Sequence, residues 1–393
     1  MQGKRIAIVD CNNFYVSCER LFNPALKTVP TVVLSNNDGC IIARSQEIKD
    51  MGIRMGQPLF QLEEPVQQEM VKFSSNYELY GDISDRIAKI LARFTDHIEV
   101  YSIDESFLDL THIPESELRN YMSMIRDEVL RLTGIPVSIG AGPNKTLAKL
   151  TNAIAKKDKS RNGVCHTGEV ETFDKTPVED VWGIGSRWAK KLAKVGTHNV
   201  GDFKRMQAAQ VKRMLTVVGL RTWMELNGHM VHEIKTDFKR PATVTSSRSF
   251  GKTTWQKEQV GDAIWTFLED ANSKMRNEGL KARRLTVFAV TNRFSDDRTY
   301  WSRTVTLHTP TNDTQSMWNE VGHYIEDLPL RLWARAGVAM NDLVPEGLET
   351  PKLFDEEHPH RERPKVDAQL WMTRREFMSE KRTTDWSDVP KIW

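Results

Sequence analysis

The chain has 393 residues, of which 39% are hydrophobic, so it can bury more than one core and should divide into several domains. Its near-neutral net charge of +2 hides a split: residues 1–137 hold 14 Lys and Arg against 20 Asp and Glu, 181–240 hold 12 against 4, 241–310 hold 11 against 7, and 311–393 hold 11 against 16. No apolar run approaches the roughly 20 residues that cross a bilayer, no signal-peptide pattern opens the chain, and Cys11, Cys18, Cys40 and Cys165 form no C-x-x-C pair. A cytoplasmic protein with reduced thiols and no membrane association is expected, without a disulfide framework or cysteine zinc site. An acidic first part joined to a basic middle suits a polyanion lying across domains, with a merely solvated basic face as the alternative.

In chain order, Ile6 to Asp10 reads as a buried strand ending in an acid, and Thr31 to Leu34 as a short second strand. Gly52, Gly56 and Pro58 punctuate the stretch that follows into turns. The segment Tyr101 to Phe107 carries the adjacent acids Asp104 and Glu105. Neighbours on an extended strand point to opposite faces, so these two converge only if a turn or bulge lies within the segment, which is therefore read as a hairpin. From Glu115 to Leu132, apolar residues at 118, 121, 122, 125, 129 and 132 keep helical spacing, and Gly134 stands where the helix should end. Pro136 to Ile139 should form another strand, followed by a turn over Gly140 to Lys145 and a helix carrying Leu147, Leu150 and Ile154. The first 165 residues thus form an α/β or α+β unit with acids at one edge.

Three carboxylates, Asp10, Asp104 and Glu105, stand at the ends of apolar strand-like segments. That pattern suits a divalent-metal site, because two Mg²⁺ ions held by such acids can clamp the attacking and leaving oxygens of a phosphoryl transfer. Solvated turn acids are the alternative on spacing alone.

Residues 174–240 change character, becoming helical and basic without convincing strands. Within them Trp182-Gly183-Ile184-Gly185 separates two helical patterns, the second running Ser186 to Val195. A Gly-x-Gly hairpin between short helices can offer backbone N–H groups to a phosphate, although a plain tight turn reads equally well. From 243 onward the expected order is strand (244–250), helix (256–278), strand (285–292), strand (300–308), helix (313–327) and strand (332–340), a βαββαβ unit. Arg248, Lys252, Arg283, Arg284, Arg293 and Arg303 decorate its strands, so its open face could grip nucleic-acid backbone. Residues 345–393 are polar and rich in Pro, Glu and Arg, a composition expected to be poorly ordered in isolation. No internal repeat is evident.

Several long runs, in this order, resemble the Y-family translesion DNA polymerases, and above all the UmuC-type catalytic subunit of bacterial DNA polymerase V. They are Asp10 to Glu19 (DCNNFYVSCE), Leu34 to Arg44 (LSNNDGCIIAR), Ser74 to Tyr80 (SSNYELY), Ser102 to Glu105 (SIDE), Asn144 to Leu150 (NKTLAKL) and Val181 to Gly185 (VWGIG). The resemblance implies an α+β right-hand polymerase. Its ferredoxin-like palm would be 1–10 and 75–166, its small fingers 11–74, its helix-hairpin-helix thumb 174–240, its βαββαβ little-finger domain 243–343 and its partner-binding tail 344–393.

It further implies that Asp10, Asp104 and Glu105 are catalytic metal ligands, joined by the backbone carbonyl of Cys11, for two Mg²⁺ ions with Mn²⁺ as a substitute. Tyr15 occupies the steric-gate position, where an aromatic ring meets a ribose 2′-hydroxyl. Phe14, Tyr15, Arg44, Lys49 and Lys156 would bind the incoming nucleotide, cationic side chains offsetting charge on the triphosphate. Gln46 stands where many relatives carry an aromatic nucleotide contact. Gly183, Gly185, Arg248, Lys252, Arg284 and Arg303 would bind primer-template DNA.

The implied function is template-directed, low-fidelity synthesis past damaged DNA from deoxynucleoside triphosphates, without proofreading, in the SOS response. A UmuD-type accessory dimer, a recombinase filament and a sliding clamp are the implied partners. For the clamp, relatives carry a Gln-Leu-x-Leu-Phe peptide, whereas here only Leu353 and Phe354 remain within Thr350 to Phe354, and the tail is shortened. A two-metal nuclease and an inert DNA-binding scaffold on a polymerase fold are the competing readings; the gate tyrosine, the thumb-like hairpin and the triphosphate lysines speak against the first, and the second would need one of the three acids lost, whereas all three are present.

Overall fold

In the computed structural model of the protein, which describes residues 3–36, 38–236 and 241–347, strand β1 (Ile6–Cys11) holds the first unit together. Its period-2 alternation serves two cores at once: Ala7, Val9 and Cys11 face one, while Ile6 and Ile8 face another with Phe107 and Ala148. After β1 come helix α1 (Phe14–Phe22), strands β2 (Thr31–Leu34) and β3 (Ile41–Arg44), short helices α2 (Gln46–Asp50) and α3 (Glu64–Gln68), and strand β4 (Val71–Ser74). These strands form a small sheet of order β3-β2-β4, with β2 antiparallel to β3 and parallel to β4.

The chain then returns through helix α4 (Tyr77–Leu91), strands β5 (Ile98–Val100) and β6 (Glu105–Asp109), helix α5 (Glu115–Thr133), strand β7 (Val137–Gly142), helix α6 (Lys145–Lys157) and strand β8 (Val164–His166). With β1 they make a five-stranded sheet of order β5-β6-β1-β7-β8. The segment from Tyr101 to Phe107 is a hairpin as expected: the N–H groups of Tyr101 and Ser102 both donate to the Glu105 carbonyl at 3.0 Å. Helix α5 ends where expected, at Gly134 with φ +72.

The sequence predicts a turn over Gly140 to Lys145, whereas β7 continues through Gly142 and α6 begins at Lys145. The reason is the close approach of α6. A Cβ on Gly140 would stand 2.2 Å from the Asn152 nitrogen and 2.4 Å from the Ala148 carbonyl oxygen, so glycine lets the helix lie directly on the strand backbone.

Residues 174–236 contain helices α7 (Ser186–Ala193), α8 (Val200–Arg205) and α9 (Ala208–Leu226), packed around Val181, Ile184, Leu192, Phe203 and Leu226. The expected helix before Trp182 is only a 3-10 turn, Val178–Asp180. Thr216 breaks α9 at φ 64 and ψ −168, a conformation rare for a β-branched residue. The end of α9 is tied to α6 by Glu225, which is fully buried and accepts from the Thr146 N–H (3.0 Å), the Thr146 hydroxyl (2.6 Å) and the N–H groups of Val231 (3.3 Å) and His232 (2.8 Å).

The second unit has the expected βαββαβ order: β9 (Thr243–Thr254), α10 (Lys257–Asn277), β10 (Leu280–Thr291), β11 (Tyr300–Thr311), α11 (Thr314–Val321) and β12 (Trp333–Pro345). Its antiparallel sheet has the order β11-β10-β12-β9, and α10 and α11 cover one face of it. The last helix is shorter than the expected 313–327, passing at Gly322 into a 3-10 segment to Asp327.

Glu225 accepts from four donors in a fully buried position, so its removal should be costly. Glu225→Ala is expected to lower the unfolding free energy of this unit by about 3–5 kcal/mol in urea titrations. Thr146→Val, which deletes one donor, should cost about 1–2 kcal/mol. A Glu225→Ala loss below about 1 kcal/mol would show that the tie is replaceable.

Candidate active site

The antiparallel register sets Asp10 of β1 directly opposite Glu105 of β6. Both occupy the sheet face that carries Ile6, Ile8 and Phe107, which is the face α6 packs on. Asp104 sits one residue earlier, at the hairpin. Its carbonyl accepts the Cys11 N–H at 2.9 Å and its carboxylate accepts the Ser102 hydroxyl at 2.6 Å.

Burial pushes the Asp10 carboxyl above the usual range, the Lys156 ammonium opposes this, and Glu105 and Asp104 add repulsion of like charge. The compensating cations come from one helix. Lys156 Nζ lies 2.5 Å from Asp10 Oδ1, Lys149 Nζ lies 2.8 and 2.9 Å from the two Glu105 oxygens, and Asn152 Nδ2 lies 3.4 Å from Asp10 Oδ2. Residues 145, 149, 152 and 156 recur at i, i+4, i+7 and i+11, which puts them in one stripe along α6.

Among the described residues, no three His, Cys, Asp or Glu side chains stand close enough to enclose a metal ion, because lysines hold Asp10 and Glu105 as separate ion pairs. The donor set nevertheless fits a hard divalent cation. It consists of carboxylate oxygens whose mutual repulsion a cation would relieve, and the Asn152 Oδ1 beside Asp10 is buried without a partner among the described residues. Cys11 is in place only through its backbone: its thiol is buried in the opposite core, and that burial pushes its pKa strongly upward.

The cationic residues Arg44, Lys49 and Lys156 converge beside these acids. Burial, and then repulsion from Lys156 and Arg44, lower the Lys49 pKa, while Asp10 partly restores it. Arg44 donates through Nη1 to the Ile53 carbonyl, and its Nε is buried without a partner among the described residues.

Tyr15 stands at the same end of the sheet, after Asn13 in the left-handed region (φ 51) opens α1. Its ring stacks on Tyr80 at 4.2 Å and meets Tyr77 edge-on at 6.0 Å, while Phe14 points into the core. Lys149 is further enclosed by aromatic faces, lying 4.9 Å from the Tyr101 ring and 5.2 Å from that of Trp182. Gly183 adopts φ +87 and Gly185 precedes the first turn of α7.

In the second unit the expected DNA-binding residues do not share a face. Arg284, opposite Thr306 and Asn341, lies on the face away from the helices and pairs with Asp342 at 2.6 Å. Arg248 stands opposite the buried Ala336, and Arg303 opposite the buried Val287. Strand period therefore places both in the rows that face the helices, at the two sheet edges. Lys252 is exposed on β9. Arg335, which the sequence reading overlooked, is on the open face beside Ser247, to whose hydroxyl it donates at 2.6 Å. Leu353 and Phe354, with the rest of the tail motif, lie outside the described residues.

The lysine stripe of α6 was also overlooked apart from Lys156, although its i, i+4, i+7, i+11 spacing was available in Lys145 to Lys156.

A family model described as the impB/mucB/samB family matches residues 9–153, and that for its C-terminal domain matches 241–353. The protein UmuC of Salmonella typhimurium (strain LT2) is 34% identical, over 98% of this chain and 99% of that protein. The chain belongs to the impB/mucB/samB family. It is thereby a UmuC-type member of the Y-family DNA polymerases, a divalent-metal-dependent group acting on DNA and nucleotides. DNA polymerase IV 1 of Bacillus subtilis is 27% identical over 88% of this chain and 84% of that one. A Y-family DNA polymerase chimera, Dbh-Dpo4(243-245)-Dbh, shares the fold with a TM-score of 0.70 at 21% identity, covering 87% of this chain and all of its own. No helix among the described residues is long and apolar enough to cross a membrane.

A raised carboxyl pKa in the folded state means that stability is lost as pH rises through the window between the ordinary value and the raised one. In EDTA at pH 7.5, Asp10→Asn is therefore expected to melt higher than the wild type, with the gap closing below about pH 4. A lower melting point at pH 7.5 would show that Lys156 fully offsets the buried charge.

Proposed function

We propose that the protein extends a primer 3′-end on damaged templates, with low fidelity, using Asp10, Asp104 and Glu105 as its catalytic acids. The primer 3′-oxygen attacks the α-phosphate of a deoxynucleoside triphosphate, a phosphodiester bond forms, and the bond to the β-phosphate breaks to release pyrophosphate. The observation that carries this reading is the pairing of Asp10 with Glu105 on the sheet face that also meets Lys156 and Lys149.

Asp10, Asp104, Glu105 and the Cys11 carbonyl would hold two Mg²⁺ ions, or Mn²⁺ in their place, and when bound these ions supply charge neutralisation for an attacking oxygen and a departing one. The chain's own groups do the rest. Arg44, Lys49 and Lys156 form a cluster in which burial, and then repulsion from Lys156 and Arg44, depress Lys49, which is the electrostatic setting a triphosphate relieves. Lys156, paired with Asp10, can exchange that carboxylate for a phosphate oxygen. Phe14 backs Tyr15, and the Tyr15 ring serves as the gate against a ribose 2′-hydroxyl. Duplex contacts fall to the Gly183 and Gly185 backbone and to Arg284 and Lys252, with Arg335 added and with Arg248 and Arg303 confined to strand edges.

In domain terms the palm is 1–10 and 75–166, the fingers 11–74, the thumb 174–240, the little finger 243–343 and the tail 344–393. Synthesis without a proofreading site is part of the same reading. A cytoplasmic, SOS-linked role, with a UmuD-type dimer, a recombinase filament and a clamp docking at Leu353 and Phe354, completes the reading.

Primer extension with four deoxynucleotides and Mg²⁺ is the test. The wild type should add nucleotides, and the Asp104→Ala, Glu105→Ala double variant should lose at least about 10³-fold in rate while still binding primer-template. Shortening of the primer would favour a nuclease, and binding without extension an inert scaffold.

A further inference from the structure

Tyr15 and Glu19 lie one turn apart on α1, and Tyr77 and Tyr80 lie one turn apart on α4, so each helix presents a pair of side chains to the other. Tyr80 is fully buried, and its hydroxyl donates to Glu19 Oε1 at 2.7 Å, inside a core where Glu19 is only 7% exposed. The Tyr15 ring lies on the Tyr80 ring at 4.2 Å and an interplanar angle of 14°. Tyr77 meets both rings edge-on, at 6.0 Å from Tyr15 and 6.2 Å from Tyr80. One face of Tyr15 is therefore covered by a ring whose far end is bound to a carboxylate.

A buried carboxylate is an expensive way to fill a core, and a Phe–Leu pair of similar volume would pack there without desolvating a charge. What the polar pair adds is a fixed position for the Tyr80 ring plane. A charge-assisted hydrogen bond fixes the distance and direction of the phenol oxygen, and the rigid ring transmits that constraint across its face to Tyr15.

We propose that Glu19 and Tyr80 are positioning residues for the Tyr15 ring, and that through it they set how strongly the enzyme rejects ribonucleotides. The proposal rests on the reading of Tyr15 as the sugar gate. Neither Glu19 nor Tyr80 touches substrate in this account; both act by fixing where the Tyr15 ring edge stands. A ring free to tilt by a few tenths of an ångström leaves room for a 2′-hydroxyl without losing its packing area, so selectivity should fall before activity does.

The test compares kcat/KM for dATP and ATP opposite template thymine in the full-length wild type, Tyr15→Ala, Tyr80→Phe, the Tyr80→Phe, Glu19→Leu double variant and the Tyr15→Ala, Tyr80→Phe double variant. Tyr80→Phe leaves Glu19 without its Tyr80 donor and should lose stability. The Tyr80→Phe, Glu19→Leu variant removes both polar groups of the pair, and the melting point of each variant, measured beside its kcat/KM ratio, separates folding from selectivity. The ratio of kcat/KM for ATP to that for dATP should rise about tenfold in both Tyr80 variants that keep Tyr15 and further in Tyr15→Ala. In Tyr15→Ala the added Tyr80→Phe change should have no further effect on the ratio. A purely structural role for the pair would lower both kcat/KM values together and leave the ratio at the wild-type value, which would overturn the proposal while Tyr15→Ala still relaxed selection. If Tyr15→Ala itself left the ratio unchanged, the gate reading would fall, and the proposal with it.

Discussion

The register between one helix and two strands is the constraint on which the rest of the structure depends. Strands β1 and β6 bring Asp10 and Glu105 face to face, which by itself is unfavourable: two carboxylates, with Asp104 nearby, share a partly buried site. Helix α6 makes the arrangement stable by laying Lys149, Asn152 and Lys156 over it in one stripe. That stripe reaches the acids only because Gly140 lets the helix sit on the strand backbone. A one-residue shift along α6 would turn the stripe by about 100°, away from the sheet, and strand the charges.

The same stripe links the acids to the helical segment that follows. Lys149 is bonded to Glu105 and packed against Tyr101 of the hairpin and Trp182 of the Trp-Gly-Ile-Gly turn, and the Tyr101 and Trp182 rings meet edge-on at 5.7 Å. Further along, Lys145 pairs with Glu99 at 2.5 Å, and the same Glu99 oxygen accepts the Lys235 N–H at 2.6 Å. With Glu225 capping the start of α6, three separate ties fix residues 182–235 to α6 and the five-stranded sheet.

Much of this was legible in the chain itself. The acids at strand ends, the hairpin between Tyr101 and Phe107, the helix ending at Gly134 and the βαββαβ order all follow from period and turn chemistry. Helices α1 and α4 were not singled out: α1 begins at a left-handed Asn13 with no side-chain cap, and α4 is amphipathic behind a short Ser-Ser-Asn lead. Gly140 to Gly142 read as a turn because glycine most often marks one, whereas here it marks a close approach. Arg248 and Arg303 were read onto the open face, whereas strand period sets them in the rows of Ala336 and Val287 that face the helices, at sheet edges where a long cationic side chain still reaches solvent.

The central claim is that Asp10, Asp104 and Glu105 together hold divalent cations once the lysines release them. Mn²⁺ binding followed by electron paramagnetic resonance, with primer-template ending in a dideoxynucleotide and a matched deoxynucleotide present, tests it directly. The account requires two Mn²⁺ ions per wild-type chain and none in the Glu105→Ala, Asp10→Ala double variant beyond what the nucleotide alone carries. Equal binding by both proteins would contradict it.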